Sequence, residues 1–218
     1  MVNKLPVGIL FSGRGSNMSA LIEAAKAPHY PAEIKLVICN RPSAKGIEIA
    51  KTANVQIAII DHTKFETREE FDDQLSERFI EAGVELICSA GFMRLLSEKF
   101  VAKWHNRQLN IHPSLLPSFK GLNTHQRAID TGVKITGCTV HFVRNEMDAG
   151  PIVAQAAVEV LEGDTKQSLA KRVLSAEHKL YPAALEQIAK GEARVSGETV
   201  IFTNPSPEHS PLFSINLR

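Results

Sequence analysis

Asn110 and His112 are the residues whose types and spacing most directly suggest chemistry, within the run Leu109-Asn110-Ile111-His112-Pro113-Ser114-Leu115-Leu116-Pro117. Successive side chains of a β-strand point to opposite faces, so Asn110 and His112 share one face and Leu109 and Ile111 the other. The apolar pair can anchor in a core while an amide and an imidazole stand side by side, roughly 7 Å apart. An imidazole titrates near neutrality and is suited to moving protons. Pro113 ends strand pairing because it has no N–H to donate. The pair therefore sits at a strand exit, where open α/β sheets put their ligands. A polar strand end with a hydrogen-bonded histidine is the alternative reading of the same residues.

A partner for His112 is Asp148, in the turn Asn145-Glu146-Met147-Asp148-Ala149-Gly150-Pro151. Ala149-Gly150-Pro151 makes that backbone rigid and irregular. An aspartate so held can bond an imidazole, fix its tautomer and favour its protonated form. It can equally bond its own backbone as a turn former. A second group of interest is Ser12-Gly13-Arg14-Gly15-Ser16-Asn17, between an apolar strand and a helix start. Glycines there permit a tight turn, and the free N–H groups of a helix start carry partial positive charge, which suits a phosphate. A plain turn with a serine cap fits the same residues. A nicotinamide dinucleotide is disfavoured: Met18 stands where the third small residue belongs, and the second strand ends in Cys39-Asn40-Arg41 without an acidic residue for a ribose diol. No Gly-Lys-Ser/Thr follows, so the P-loop pattern also fails.

The elements that must hold these groups alternate. Strands are expected at Val7–Phe11, Ile34–Cys39, Val55–Ile60, Val84–Ala90 and Arg107–His112, with helices at about Met18–Lys26, Ala44–Ala53, Arg68–Ala82 and Ser97–Trp104 between them. A helix over Thr124–Thr131 precedes two β-rich runs, Ile135–Arg144 and Ile152–Val160, expected to pair antiparallel. A last helix starts at Asp164 or Thr165, and Pro182 should kink or restart it. Such alternation predicts an α/β, Rossmann-like, mostly parallel sheet with helices on both faces and antiparallel strands toward the C-terminal part. Loops 12–17, 91–96 and 113–123 then share the carboxyl ends of the strands. One domain over residues 1–203 is expected, with the Ser/Pro-rich residues 204–218 as a flexible tail.

Composition narrows the function classes. The chain has 218 residues, 44% hydrophobic and 22% charged, and a net charge of +1 with the signs mixed, which speaks against nucleic-acid or anionic-membrane binding through bulk charge. No run is long enough to span a bilayer and no leader-like segment stands at the start, so a cytoplasmic protein is expected. Three separated cysteines, Cys39, Cys88 and Cys138, lack metal-site spacing and read as small buried hydrophobes. No metal is expected.

Taken in order, Ser12-Gly13-x-Gly15-Ser16-Asn17, Ala90-Gly91-Phe92-Met93-Arg94-Leu95-Leu96, the Asn110–His112 run and Asp148-Ala149-Gly150-Pro151 resemble the phosphoribosylglycinamide formyltransferase family, from about Val7 to Glu192. The run around Asn110 and the later aspartate are shared with other enzymes of 10-formyltetrahydrofolate, while the N-terminal loop specifies the acceptor. The resemblance implies formyl transfer from N10 of 10-formyltetrahydrofolate, a co-substrate, to the amine of glycinamide ribonucleotide. It implies Asn110, His112 and Asp148 as catalytic residues. It also implies Gly15, Ser16, Asn17 and Glu177 as ribonucleotide contacts. Its folate contacts would be Arg68, Met93, Arg94, Leu95, Leu96, Asn110, Arg144, Asn145, Glu146, Met147 and Asp148. A monomer or homodimer acting on these two small molecules is expected. Methionyl-tRNA formyltransferase shares the catalytic trio, but the nearly neutral charge and the lack of residues for a tRNA-binding domain after 218 count against it. Formyltetrahydrofolate hydrolase shares the trio as well, and its usual N-terminal regulatory domain has no counterpart here. A nucleotide- or folate-binding module without activity is the reading from a different class; the complete trio counts against it.

Overall fold

The computed structural model describes residues 4–203. Its elements in chain order are β1 (Leu5–Phe11), α1 (Ser16–Ala25), β2 (Ala32–Cys39), α2 (Gly46–Thr52), β3 (Ile57–Ile59), α3 (Arg68–Glu81), β4 (Leu86–Ser89), α4 (Glu98–Lys103), β5 (Gln108–His112), α5 (Thr124–Thr131), β6 (Ile135–Phe142), β7 (Ile152–Glu159), α6 (Lys166–Ala189), β8 (Ala193–Ser196) and β9 (Thr199–Phe202). Seven strands form one sheet in the order β3-β2-β1-β4-β5-β6-β7. The pairs from β3 to β5 are parallel, and β5–β6 and β6–β7 are antiparallel. The order reverses between β1 and β4, the position at which open sheets of this kind leave a crevice for ligands.

Both faces of the parallel strands are covered, which explains their nearly unbroken apolar sequences. Val7, Ile9 and Phe11 of β1 join Val37 and Cys39 of β2 and Cys88 of β4 in a core shared with Met18, Leu21 and Ile22 of α1 and Tyr181 and Leu185 of α6. The intervening residues Leu10, Leu36, Ile38 and Ile87 face the opposite layer, against Phe71, Leu75 and Phe79 of α3 and Phe100 and Trp104 near α4. Gly8 is part of this packing: a Cβ there would lie 2.4 Å from the Phe79 ring, so its absence lets α3 approach β1. A smaller cluster of Ala128, Cys138, Leu169 and Val173 ties α5 and α6 to β6.

Helix starts carry the expected chemistry. Thr67 and Thr165 make reciprocal capping boxes at α3 and α6, and the Ser97 hydroxyl accepts the Phe100 N–H at α4. Helix α6 does not restart at Pro182; it runs through it to Ala189. The Pro182 carbonyl accepts a 2.7 Å bond from the Tyr30 hydroxyl, which ties that turn to the core. Strand β3 is shorter than the expected Val55–Ile60. The hairpin β8–β9 turns at Gly197 and is an element that the sequence reading did not contain. Among the described residues no helix is long and apolar enough to cross a membrane. The expected tail over 204–218 lies outside the described residues.

Candidate functional site

Strand β5 ends with Leu109 buried on one side and Asn110 and His112 on the other, as strand alternation requires. His112 is 5% exposed and contacts Asp148 through Nδ1–Oδ1 at 3.3 Å. Its Nε2 lies 3.0 Å from the Phe119 carbonyl of the loop after β5. Both ring nitrogens thus face acceptors, an arrangement that an imidazolium satisfies at both positions. Asp148 adopts a left-handed conformation at φ 49°, and its second oxygen accepts the Gly121 N–H at 2.7 Å. Burial alone would raise the Asp148 carboxyl, but the His112 bond and the Gly121 amide outweigh it and hold the group below the usual carboxylate range. The turn that carries Asp148 is fixed by Gly150, where a Cβ would meet the Phe142 carbonyl at 2.3 Å.

The same strand register supplies a residue, His141, that the sequence analysis does not single out. Asn110 lies opposite His141 across the β5–β6 pair, and their Nδ2 and Nε2 atoms are 3.2 Å apart. His141 Nδ1 lies 2.9 Å from the Phe142 carbonyl, an acceptor, so the proton sits on Nδ1 and Nε2 accepts from the Asn110 amide. Burial lowers the His141 titration, against the opposing Phe142 and Ala149 bonds and the Asp148 charge, which favours the neutral ring. His141 therefore fixes which end of the Asn110 amide is the donor, and leaves that nitrogen a second N–H to offer. The alternation Thr139-x-His141 on β6 was the available signal; its use required the antiparallel register.

At the end of β1 the backbone turns through Gly15 at φ 73°, and α1 begins at Ser16 without a side-chain cap. The serine-cap reading of this turn is therefore incorrect. The first-turn N–H groups stay free of protein caps, with the helix partial charge behind them. Gly15 lies against Gly46 at the start of α2: a Cβ on Gly15 would be 3.0 Å from the Gly46 Cα, and the Gly46 N–H donates to the Gly13 carbonyl at 3.0 Å. Asn17 turns away from the helix start and donates a 2.6 Å bond to Glu177 of α6. Glu177 is 6% exposed; burial raises its carboxyl, opposed by the Asn17 bond and the nearby His112 charge.

Loop 91–96 follows β4 and presents Met93 and Leu95 as exposed apolar side chains. Arg94 folds back, its guanidinium 5.4 Å over the Phe71 ring, so the loop offers apolar side chains and backbone rather than that cation. Leu96 packs against the α3–α4 core. Met147 is exposed on the Asp148 turn, near Gly121, and Glu146 pairs with Lys120 at 2.7 Å. Asn145 flanks the same turn. The Arg144 guanidinium bonds Asn106, Glu198 of the β8–β9 turn and the Val143 carbonyl, which commits it outside the cleft. Arg68, at the start of α3, is exposed, and its charge is felt by the buried Asp72.

The cysteines are buried free thiols. Burial pushes Cys88 up to about 12 against a Tyr181 bond, and burial with the Glu177 charge does the same for Cys138. Neither is poised as a nucleophile at neutral pH. Among the described residues no group of three or more His, Cys, Asp or Glu side chains could hold a metal ion.

An uncapped helix start and an Asp–His pair meet at the carboxyl ends of the strands of one doubly wound sheet, which defines an α/β protein with a candidate ligand site at its strand ends. Residues 6–185 match the family described as Formyl transferase, and the chain belongs to that family. It is 50% identical over 193 residues to the trifunctional purine biosynthetic protein adenosine-3 of Gallus gallus, covering 88% of this chain and 19% of that protein. The chain thus spans about a fifth of the length of that relative. Against the phosphoribosylglycinamide formyltransferase of Escherichia coli (strain K12) it is 37% identical over 187 residues, 86% of this chain and 88% of the relative. The solved glycinamide ribonucleotide transformylase 1 of Symbiobacterium toebii superposes with a TM-score of 0.90 at 42% identity, over 92% of this chain and 95% of that one.

Proposed function

We propose that the chain is a cytoplasmic enzyme that transfers the formyl group of 10-formyltetrahydrofolate to the amine of glycinamide ribonucleotide. The observation that carries this reading is the His112–Asp148 contact at 3.3 Å, beside an Asn110 amide oriented by His141. The choice of acceptor is supported by the near full-length match to relatives named for that substrate and by the uncapped start of α1, which suits a phosphate.

The amine attacks the formyl carbon, and negative charge develops on the formyl oxygen. The second N–H of Asn110 donates to that oxygen, a contribution of about 3 kcal/mol for one well-placed donor. His112, as an imidazolium, exchanges the Phe119 carbonyl for substrate, gives its Nε2 proton to N10 as the C–N10 bond breaks and takes back the proton released by the attacking nitrogen, worth about 10²–10⁴-fold. Asp148 holds the ring and stabilises its charge. Gly15 and Ser16 take the ribonucleotide phosphate on backbone N–H groups, and Asn17 and Glu177 meet the ribose as a bonded pair. Met93 and Leu95 form one wall of a slot for the flat pterin, with backbone groups of 94–96 at its edge. The turn 145–148 forms the other wall.

The test is formyl transfer from 10-formyltetrahydrofolate measured with glycinamide ribonucleotide, water and charged tRNA as acceptors. Glycinamide ribonucleotide should be the acceptor used. Asn110→Ala should lower kcat about 10²–10³-fold, and His112→Ala about 10²–10⁴-fold. The reading fails if Asn110→Ala, His112→Ala and Asp148→Asn, all folded, keep kcat near wild type.

A further inference from the structure

We propose that Ser12 couples the two substrate sites, so that filling the ribonucleotide site tightens the folate site. This rests on the reading of 13–17 as the phosphate loop and 91–96 as the folate wall. Strands β1 and β4 pair in parallel, and their ladder continues past both strand ends: the Ala90 N–H donates to the Leu10 carbonyl at 2.8 Å, and the Ser12 N–H to the Gly91 carbonyl at 3.1 Å. At Gly91, φ 76°, the second chain turns away and backbone pairing stops. The Ser12 hydroxyl extends the link, accepting the Met93 N–H at 2.9 Å. Ser12 is 3% exposed and directly precedes Gly13, whose carbonyl is in turn held by Gly46. A buried side chain thus joins the loop that meets the phosphate to the loop that meets the pterin. The far end of loop 91–96 is anchored separately, by the Ser97 N–H on the buried Asp72 carboxylate at 2.5 Å.

Coupling of this kind is carried by contiguous bonded groups and is reciprocal between the two ligands. An anion that orders Gly13–Ser16 fixes Ser12, and with it the Gly91 carbonyl and Met93 amide. Ser12 does not touch the reacting atoms; it is a positioning residue.

The test is equilibrium binding of tetrahydrofolate, which carries no formyl group to transfer, with and without saturating glycinamide ribonucleotide. In the wild-type protein the ribonucleotide should tighten tetrahydrofolate about fivefold. Ser12→Ala, and Ser12→Cys with its weak acceptor, should bind each ligand alone and show a factor near one. Asp72→Asn loosens the other end of the same loop; it should weaken tetrahydrofolate yet keep the wild-type factor. Equal affinity with and without ribonucleotide in the wild type overturns the proposal. So does full coupling in both Ser12 variants, or its loss in Asp72→Asn as well. A wild-type protein that binds neither ligand refutes the functional reading instead.

Discussion

Two carboxyls near His112, Glu177 buried and Asp148 half-buried, are driven in opposite directions by their surroundings. Burial raises Glu177, and the Asn17 bond and His112 charge only partly offset it. For Asp148 burial is outweighed by the His112 and Gly121 bonds, and the group is lowered. The stability consequences have opposite sign. A lowered aspartate stabilises the fold above its unfolded value near ~3.9, and that contribution is lost as pH falls through the folded value. A raised glutamate favours the fold fully below its unfolded value near ~4.3, and that contribution is lost as pH rises through the folded value. Glu177→Gln keeps an acceptor for Asn17 without a charge to bury, so it should melt higher than wild type at pH 8. The gain should vanish below about pH 4, where the wild-type glutamate is itself protonated. Thermal melts of the two proteins across pH 4–8 check this; a variant less stable than wild type at pH 8 would refute it. Whatever the stability gain, the ribonucleotide KM should rise, since the proposed ribose contact loses its charge.

Helix α2 contributes no side chain to the proposed mechanism, yet its first residue shapes the proposed phosphate loop. A Cβ on Gly46 would lie 2.6 Å from the Phe11 ring and 3.0 Å from the Gly15 Cα. Gly46→Ala must therefore push the 13–15 loop out of place, costing about 1–3 kcal/mol as overpacking. Steady-state kinetics should show the ribonucleotide KM rising more than the folate KM; an equal rise would mean general loosening. Gly46 was not legible in the sequence, because it lies far from Gly15 along the chain and only the sheet brings them together. What was legible followed from local periodicity: the alternation that puts Asn110 and His112 on one face, the continuous apolar runs of β1 and β2, and the ends of α5 at Thr124 and Thr131. Arg144 was read as a folate contact, but its guanidinium is taken by Glu198 on the β8–β9 turn, an element beyond the matched family span. The alternating Ala193–Phe202 stretch around Gly197-Glu198 carried that hairpin's signal. The reach of Asp148 to His112 depended on the left-handed turn at Asp148 and on the β5–β6–β7 register, which no single segment encodes.

On the scale of the whole molecule, the two proposed ligands attach to the same sheet on either side of its reversal point. One meets the end of β1 and the start of α1; the other meets the ends of β4 and β5 and the turn before β7. The core that includes Phe11, Cys88, Leu109 and Phe142 runs beneath both positions, so ligand binding should report on a single unfolding event. A ligand that binds only the folded state adds RT ln(1 + [L]/Kd), about 2.7 kcal/mol at a hundredfold excess over Kd. For a domain of this size that corresponds to a rise in Tm of roughly 5–11 °C. Glycinamide ribonucleotide and tetrahydrofolate should each produce such a shift in one cooperative transition. Together they should exceed the sum of the separate shifts, because ordering the first site lowers the cost of ordering the second. Inorganic phosphate should shift Tm in the same direction as the ribonucleotide but less, since it fills only the helix start and leaves the Asn17–Glu177 pair unmet. In Gly46→Ala the phosphate shift should fall away while the tetrahydrofolate shift persists. A ribonucleotide shift that survives Gly46→Ala unchanged would move the phosphate away from α1, and the acceptor site would have to be sought at another strand end.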